Sequence, residues 1–123
     1  MMYELHVTER FSAAHHLCGY GDPCEQVHGH NWKVTAFVHC EQLDAVGLGI
    51  DFRVLRRRLR EVLADLDHRD LNDTPWFRET NPSAEHLARH VHERLAERLA
   101  GAPARLVRVL VQENDDSGAS YQP

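Results

Sequence analysis

From Cys24 to Val34 the chain reads CEQVHGHNWKV. His28 and His30 flank a single glycine, and a thiol stands four residues before the first of them. In a strand, residues i and i+2 point the same way, so these two imidazoles stand side by side, with Gly29 keeping the stretch slim. Neutral imidazole is the commonest ligand for transition metals, and catalytic zinc often takes three protein ligands and leaves one position open. A third ligand must then come from a neighbouring strand. His15, which ends the apolar alternation of an upstream segment, is the candidate; His16 points to the opposite face unless a bulge intervenes. Including Cys24 would close the site and leave the metal only a structural part. Cys24 is therefore read as a free thiol whose pKa a nearby dication lowers, suited to act as base or nucleophile. The plainer alternative is a small buried hydrophobe, and Cys18 and Cys40 are read that way.

Two further places carry carboxylates. In LDHRDLND, Asp67 adjoins His68. A carboxylate that orients an imidazole is a recurring acid–base device, although adjacent residues need not hydrogen-bond each other. A histidine just past a helix also suits the helix dipole. Glu113 continues the valine face of a late strand. It lies either in water at the end of the sheet or at the bottom of a pocket, where it would accept two hydrogen bonds from a planar N–H pair such as a guanine-like ring edge. His86 and His90 are four residues apart beside a helical apolar stripe, with no third ligand, and are read as solvent-exposed. His6, His39 and His92 receive no role.

The elements that must position these groups follow from periodicity. From Tyr3 to His15 the sequence alternates, with Tyr3, Leu5, Val7, Phe11, Ala13 and His15 on one face and Glu9 as the interruption. A second strand, from about Val27 to Cys40, places His28, His30, Trp32, Val34, Ala36 and Val38 together. GYGDPCEQ between them has loop composition. A helix from about Asp51, its N-cap, carries Phe52, Leu55, Leu59, Val62, Leu63 and Leu66 at helical spacing, with arginines opposite. DHRDLNDTPWFRETNP reads as a long polar loop. A second helix starts near 81–83, with Ala84, Leu87, Ala88, Val91, Leu95 and Leu99 as its stripe. ARLVRVLVQE is a third strand, with Val107, Val109, Val111 and Glu113 on one face, and SGASYQP holds a short fourth. The order ββααββ predicts an α+β fold: an antiparallel four-stranded sheet with two helices on one face.

Composition sets the bounds. The 123 residues are read as a single domain, 1–123. A net charge of -5 gives no basic footprint for nucleic acid, and the arginines of FRVLRRRLR read as a solvated helix face. No apolar run reaches membrane-spanning length, and the N-terminus lacks a signal-peptide core. Three cysteines without framework spacing point to a reducing compartment, the cytoplasm.

Together, FSAAHH, CEQVHGH, GIDFRVL, LDHRDLN, NPSAEHLA and the late VQEN with its following Tyr121 resemble the 6-pyruvoyl-tetrahydropterin synthase family, nearly end to end and in order. Three residues separate Cys24 from His28, as in its carboxy-forming bacterial branch, which serves queuosine synthesis; the animal pyruvoyl-forming enzymes carry a longer gap. The resemblance implies a tunnelling fold whose trimers close a barrel and stack in pairs as homohexamers, with active sites at subunit interfaces and one zinc ion per subunit. By position it implies His15, His28 and His30 as zinc ligands, Cys24, Asp67 and His68 as catalytic groups, and Glu113 as the pterin anchor, with Ser83 beside the ring. The implied lyase chemistry turns 7,8-dihydroneopterin triphosphate into 6-carboxy-5,6,7,8-tetrahydropterin, acetaldehyde and triphosphate. Its rivals are a pyruvoyl-forming enzyme and a non-catalytic zinc- and pterin-binding protein. The sequence departs from the family pattern at Ala84, where a hydroxyl residue is common, and at Gln112 and Asn114 around Glu113.

Overall fold

The structure, a computed structural model, describes residues 1–19 and 24–123. Part of the loop expected over GYGDPCEQ, positions 20–23, lies outside the described residues. Strands β1 (Tyr3–His15) and β2 (His28–Cys40) pair antiparallel along their whole length, Tyr3 opposite Cys40 and His15 opposite His28. This register puts Val7, Phe11 and Ala13 on the same buried face as Trp32, Val34, Ala36 and Val38. Glu9, the interruption in that stripe, receives Arg56 at 3.1 Å and Arg60 at 3.0 Å. Both arginines belong to α1 (Phe52–Ala64), so its basic side is partly a clamp onto β1 rather than wholly a solvated face.

The sheet differs from the expected four antiparallel strands. It has five strands in the order β3-β1-β2-β4-β5, and β3 (Arg69–Asp70) runs parallel to β1, opposite Ala13 and Ala14. Two polar residues carry no alternation, so β3 was invisible inside a stretch that reads as loop. A short 3-10 turn, Leu71–Asp73, follows it. Strand β4 (Arg105–Asn114) pairs antiparallel with β2, and β5 (Ser117–Tyr121) with β4. An irregularity opposite Phe37 and Val38 shifts the β4 register. Leu106, not Val107, consequently faces the core with Val109 and Val111.

Both helices start where capping chemistry places them. Asp51 accepts the Arg53 amide, and Ser83 accepts the His86 amide at the head of α2 (Ala84–Arg98). Leu55, Leu59 and Leu63 of α1 and Leu87, Val91 and Leu95 of α2 are buried, whereas Phe52 is half exposed. Among the described residues, no helix is long and apolar enough to cross a membrane.

Of the α2 histidines, His90 departs from the expected exposed setting, and His92, which received no role, is also enclosed. His92 is buried against the Tyr121 ring, with centroids 5.3 Å apart. His90 packs on Trp76 at 4.9 Å and Phe77 at 5.5 Å, and burial pushes its pKa down to about 4, with Arg94 adding to the effect. An unfolded polypeptide takes up that proton near the ordinary histidine value, while the folded one resists it. The stability that His90 contributes is therefore complete above about pH 6.5 and is lost as pH falls towards 4. His90→Leu should flatten the fall in melting temperature across this window; an unchanged profile would assign the acid sensitivity to other groups.

A candidate metal centre at the end of the paired strands

The β1–β2 register brings the three expected ligands together. His15 lies opposite His28, and Ala13 lies opposite His30. The ring centroids are 4.7 Å (His15–His28), 5.0 Å (His15–His30) and 4.9 Å (His28–His30) apart. One ligand nitrogen from each lies within 4.8 Å of the others, a group that could hold a metal ion. Trp32 forms the floor, 4.9 Å from His15 and 5.1 Å from His30, with its Nε1 donating to the Ala13 carbonyl at 3.2 Å. An added Cβ at Gly29 would meet only the Ala13 carbonyl oxygen at 3.8 Å, so packing within this chain does not require the expected slimness.

Proton positions follow from the acceptors. His15 Nδ1 lies 2.8 Å from the Pro82 carbonyl oxygen, and His28 Nδ1 lies 2.9 Å from that of Gln26. A carbonyl only accepts, so each neutral ring carries its proton on Nδ1 and leaves the Nε2 lone pair free. His15 Nε2 and His30 Nε2 are buried without a hydrogen-bond partner. Leaving such an atom unmade costs about 1–3 kcal/mol, and a coordinated cation removes that cost. Burial lowers the His30 pKa and so favours its neutral, ligating form; Glu113 pulls the other way, against His15 and His28. The donor set therefore fits a metal of zinc's preferences.

Glu113 stands at this cluster rather than apart in water. Its Oε1 is 3.9 Å from His15 Nε2 and its Oε2 3.9 Å from His30 Nε2. Its negative charge favours a dication there, and its oxygens remain beyond hydrogen-bond reach of the rings.

Asp67 and His68 form a separate pair. They do bond directly, His68 Nδ1 to Asp67 Oδ1 at 2.9 Å. Asp67 also accepts the Ser12 amide at 2.9 Å while the His68 amide donates to the Ser12 carbonyl at 2.6 Å. His68 manages this with φ of 60°, the left-handed region that side chains other than glycine enter at a cost. The Ser12 amide, then His68, holds the Asp67 carboxyl below the usual range and therefore ionised. The His68 side chain is 81% exposed and lines a cavity of about 450 Å³ with Ser12, Gly29, His30 and Asn31.

The family model of 6-pyruvoyl tetrahydropterin synthase matches residues 4–123. The chain belongs to this family. It is 31% identical over 125 residues to the 6-carboxy-5,6,7,8-tetrahydropterin synthase of Synechocystis, covering 98% of this chain and 93% of that one. It is also 31% identical over 97 residues to the human 6-pyruvoyl tetrahydrobiopterin synthase, covering 77% and 66%. The 6-pyruvoyl tetrahydropterin synthase structure from Caenorhabditis elegans shares the fold, with a TM-score of 0.84 at 24% identity over 100% of this chain and 96% of that one.

Some supports of the site in this family member escaped sequence reasoning. The Asn81 side chain donates to the Cys18 carbonyl at 2.7 Å and accepts the Cys18 amide at 2.9 Å. Asn72 does the same for His16, at 3.0 and 2.9 Å. Pro82 supplies the His15 acceptor, and Ser83 caps α2 while keeping its own hydroxyl proton free to donate. An asparagine next to a proline just ahead of a helix was the available signal for Asn81; nothing distinguished Asn72 from loop polarity. The structure also corrects the cysteine reading. Cys18 is half-buried and Cys24 exposed, and their sulfurs form a disulfide; only Cys40 is free and buried among the described residues. The hydrogen bonds of Leu17 with Glu25 draw together the residues flanking the two cysteines, which stand six positions apart, a closure that cysteine spacing alone did not reveal.

Proposed function

We propose that this protein is a zinc-dependent lyase that converts 7,8-dihydroneopterin triphosphate to 6-carboxy-5,6,7,8-tetrahydropterin, with release of acetaldehyde and triphosphate. The observation that carries this reading is the grouping of three imidazoles, two with buried unpaired Nε2 atoms, beneath a carboxylate 3.9 Å from both. His15, His28 and His30 would hold the metal, one ion per subunit. When bound, zinc supplies Lewis acidity to the hydroxyls on the substrate's side arm.

The protein's own groups do the rest. Glu113 accepts from the pterin's planar N–H edge, with the Ser83 hydroxyl as a further donor near the ring. Cys24, reduced, takes the proton from a carbon of the substrate's side arm, and His68 delivers protons to departing oxygen while ionised Asp67 holds its ring. The exposed His68 and the edges of β3 and β5, which no other described strand covers, support assembly into closed barrels, as a hexamer of two trimers. The whole of 1–123 acts as one domain, in the cytoplasm, feeding queuosine or another deazapurine route.

The human relative, which is a 6-pyruvoyl tetrahydrobiopterin synthase, supports a second reading in which the carbon–carbon bond of the substrate's side arm survives. Mass-spectrometric analysis after incubating the zinc-loaded, reduced protein with 7,8-dihydroneopterin triphosphate separates the two. The expected result is 6-carboxytetrahydropterin with acetaldehyde. A 6-pyruvoyl product would select the second reading, and persistence of substrate would leave a non-catalytic pterin binder.

A further inference from the structure

The thiol assigned above as base has a partner. Cys24 and Cys18 form a disulfide, and their Cα atoms are 4.4 Å apart, within the range such bridges span. Hydrogen bonds hold both ends in place. Asn81 grips the Cys18 backbone through donor and acceptor, at 2.7 and 2.9 Å. Beside it, the Glu25 amide donates to the Leu17 carbonyl at 3.1 Å, and the Leu17 amide donates to Glu25 Oε1 at 2.9 Å. The neighbours of the two cysteines are thus tied to each other. Of the pair, Cys24 is the exposed one. None of these bonds involves the Nε2 atoms of the histidine cluster, so the bridge uses no ligand atom of the candidate metal site.

We propose that Cys18 is a resolving thiol that switches Cys24 between an active thiolate and an inactive disulfide, by exchange with low-molecular-weight disulfides of the glutathione type. The proposal rests on the assignment of Cys24 as the base, since sulfur in a disulfide accepts no proton from substrate. Cys24 thiolate attacks one sulfur of the small disulfide, breaks its S–S bond and expels one thiolate, leaving a mixed disulfide. Cys18 thiolate then attacks Cys24 Sγ, forms the internal bridge and expels the second small thiolate. Two protein thiols are oxidised, one small disulfide is reduced, and the two protons the cysteines release go to the small thiolates. Excess small thiol runs the same steps backwards.

The test equilibrates the zinc-loaded full-length protein in graded mixtures of reduced and oxidised glutathione. Free thiols are trapped by alkylation and mapped by mass spectrometry, and turnover and zinc content are measured in parallel. Turnover should fall in step with the fraction bridged, by about 10²-fold or more at full oxidation. It should return with dithiothreitol, at constant zinc. Cys18→Ser should match wild type when reduced, and under oxidised glutathione its Cys24 should carry a glutathione adduct instead. If no bridge forms at any ratio while reduced turnover depends on Cys24, the switch is overturned and the base assignment stands. If the bridge forms and turnover is unchanged, or the reduced protein has no turnover at all, the assignment of Cys24 falls and takes the switch with it. Should Cys18→Ser not fold, the wild-type titration decides alone.

Discussion

In reducing buffer, a Cys24→Ala variant is expected to bind zinc and pterin as wild type does and to turn over about 10²- to 10⁴-fold more slowly. The expectation rests on where Cys24 stands. It is exposed, precedes the histidine pair by four residues, and is not a member of the group of three that could hold a metal. On the proposed reading, truncating it removes a proton acceptor and no metal ligand. Reduction matters, because the bridge to Cys18 would otherwise mask the difference. Kinetics on 7,8-dihydroneopterin triphosphate, with metal content and pterin fluorescence titration on the same samples, test it. Zinc lost along with turnover would make Cys24 a ligand; turnover retained would move the base elsewhere, with His68 the next group to examine.

Removing either end of the ligand set should separate metal binding from folding. His28 is exposed, so His28→Ala should abolish tight zinc binding while leaving the melting temperature of the metal-free protein nearly unchanged. His15 is 1% exposed, packs edge-on against Trp32, and bonds the Pro82 carbonyl. His15→Ala should therefore lose both the metal and about 1–3 kcal/mol of metal-free stability, through an unpaired carbonyl and a cavity. Loss of affinity in each case should exceed the 10- to 100-fold or so that an outer hydrogen-bond partner contributes. Zinc should raise the wild-type melting temperature by mass action and leave both variants where they are. A zinc-dependent rise that survives in His28→Ala would mean that the stabilising ion sits elsewhere.

The parts legible in the sequence share a cause. Alternation over Tyr3–His15 and His28–Cys40 fixes faces, and faces fix which histidines meet, so His15, His28 and His30 could be named before any coordinates. The two helices were legible from their stripes, and Asp51 from its local capping chemistry. The start of the second helix was legible only as near 81–83, and Ser83 was not singled out as its cap. What stayed hidden depends on partners remote in sequence or on pieces too short to have a period. β3 has two residues and exists only because β1 offers it an edge. The β4 irregularity exchanges Leu106 for Val107 at the core, which no periodicity of β4 alone reveals. The Asp67–His68 contact needs the left-handed backbone at His68, and that conformation is fixed by Ser12, more than fifty residues away in the sequence.

The acceptors that orient His15 and His28 are main-chain carbonyls, of Pro82 and Gln26. No substitution of a side chain deletes a carbonyl. A scan that truncates residues one at a time would pass over both positions and credit the ligands alone, although each ring's tautomer is set by the route the backbone takes past it. The same fact gives a would-be engineer freedom in one direction and none in another. Side chains around the ligands can be exchanged for new substrates, but inserting or deleting a residue before α2 would turn His15 away from the position it must hold.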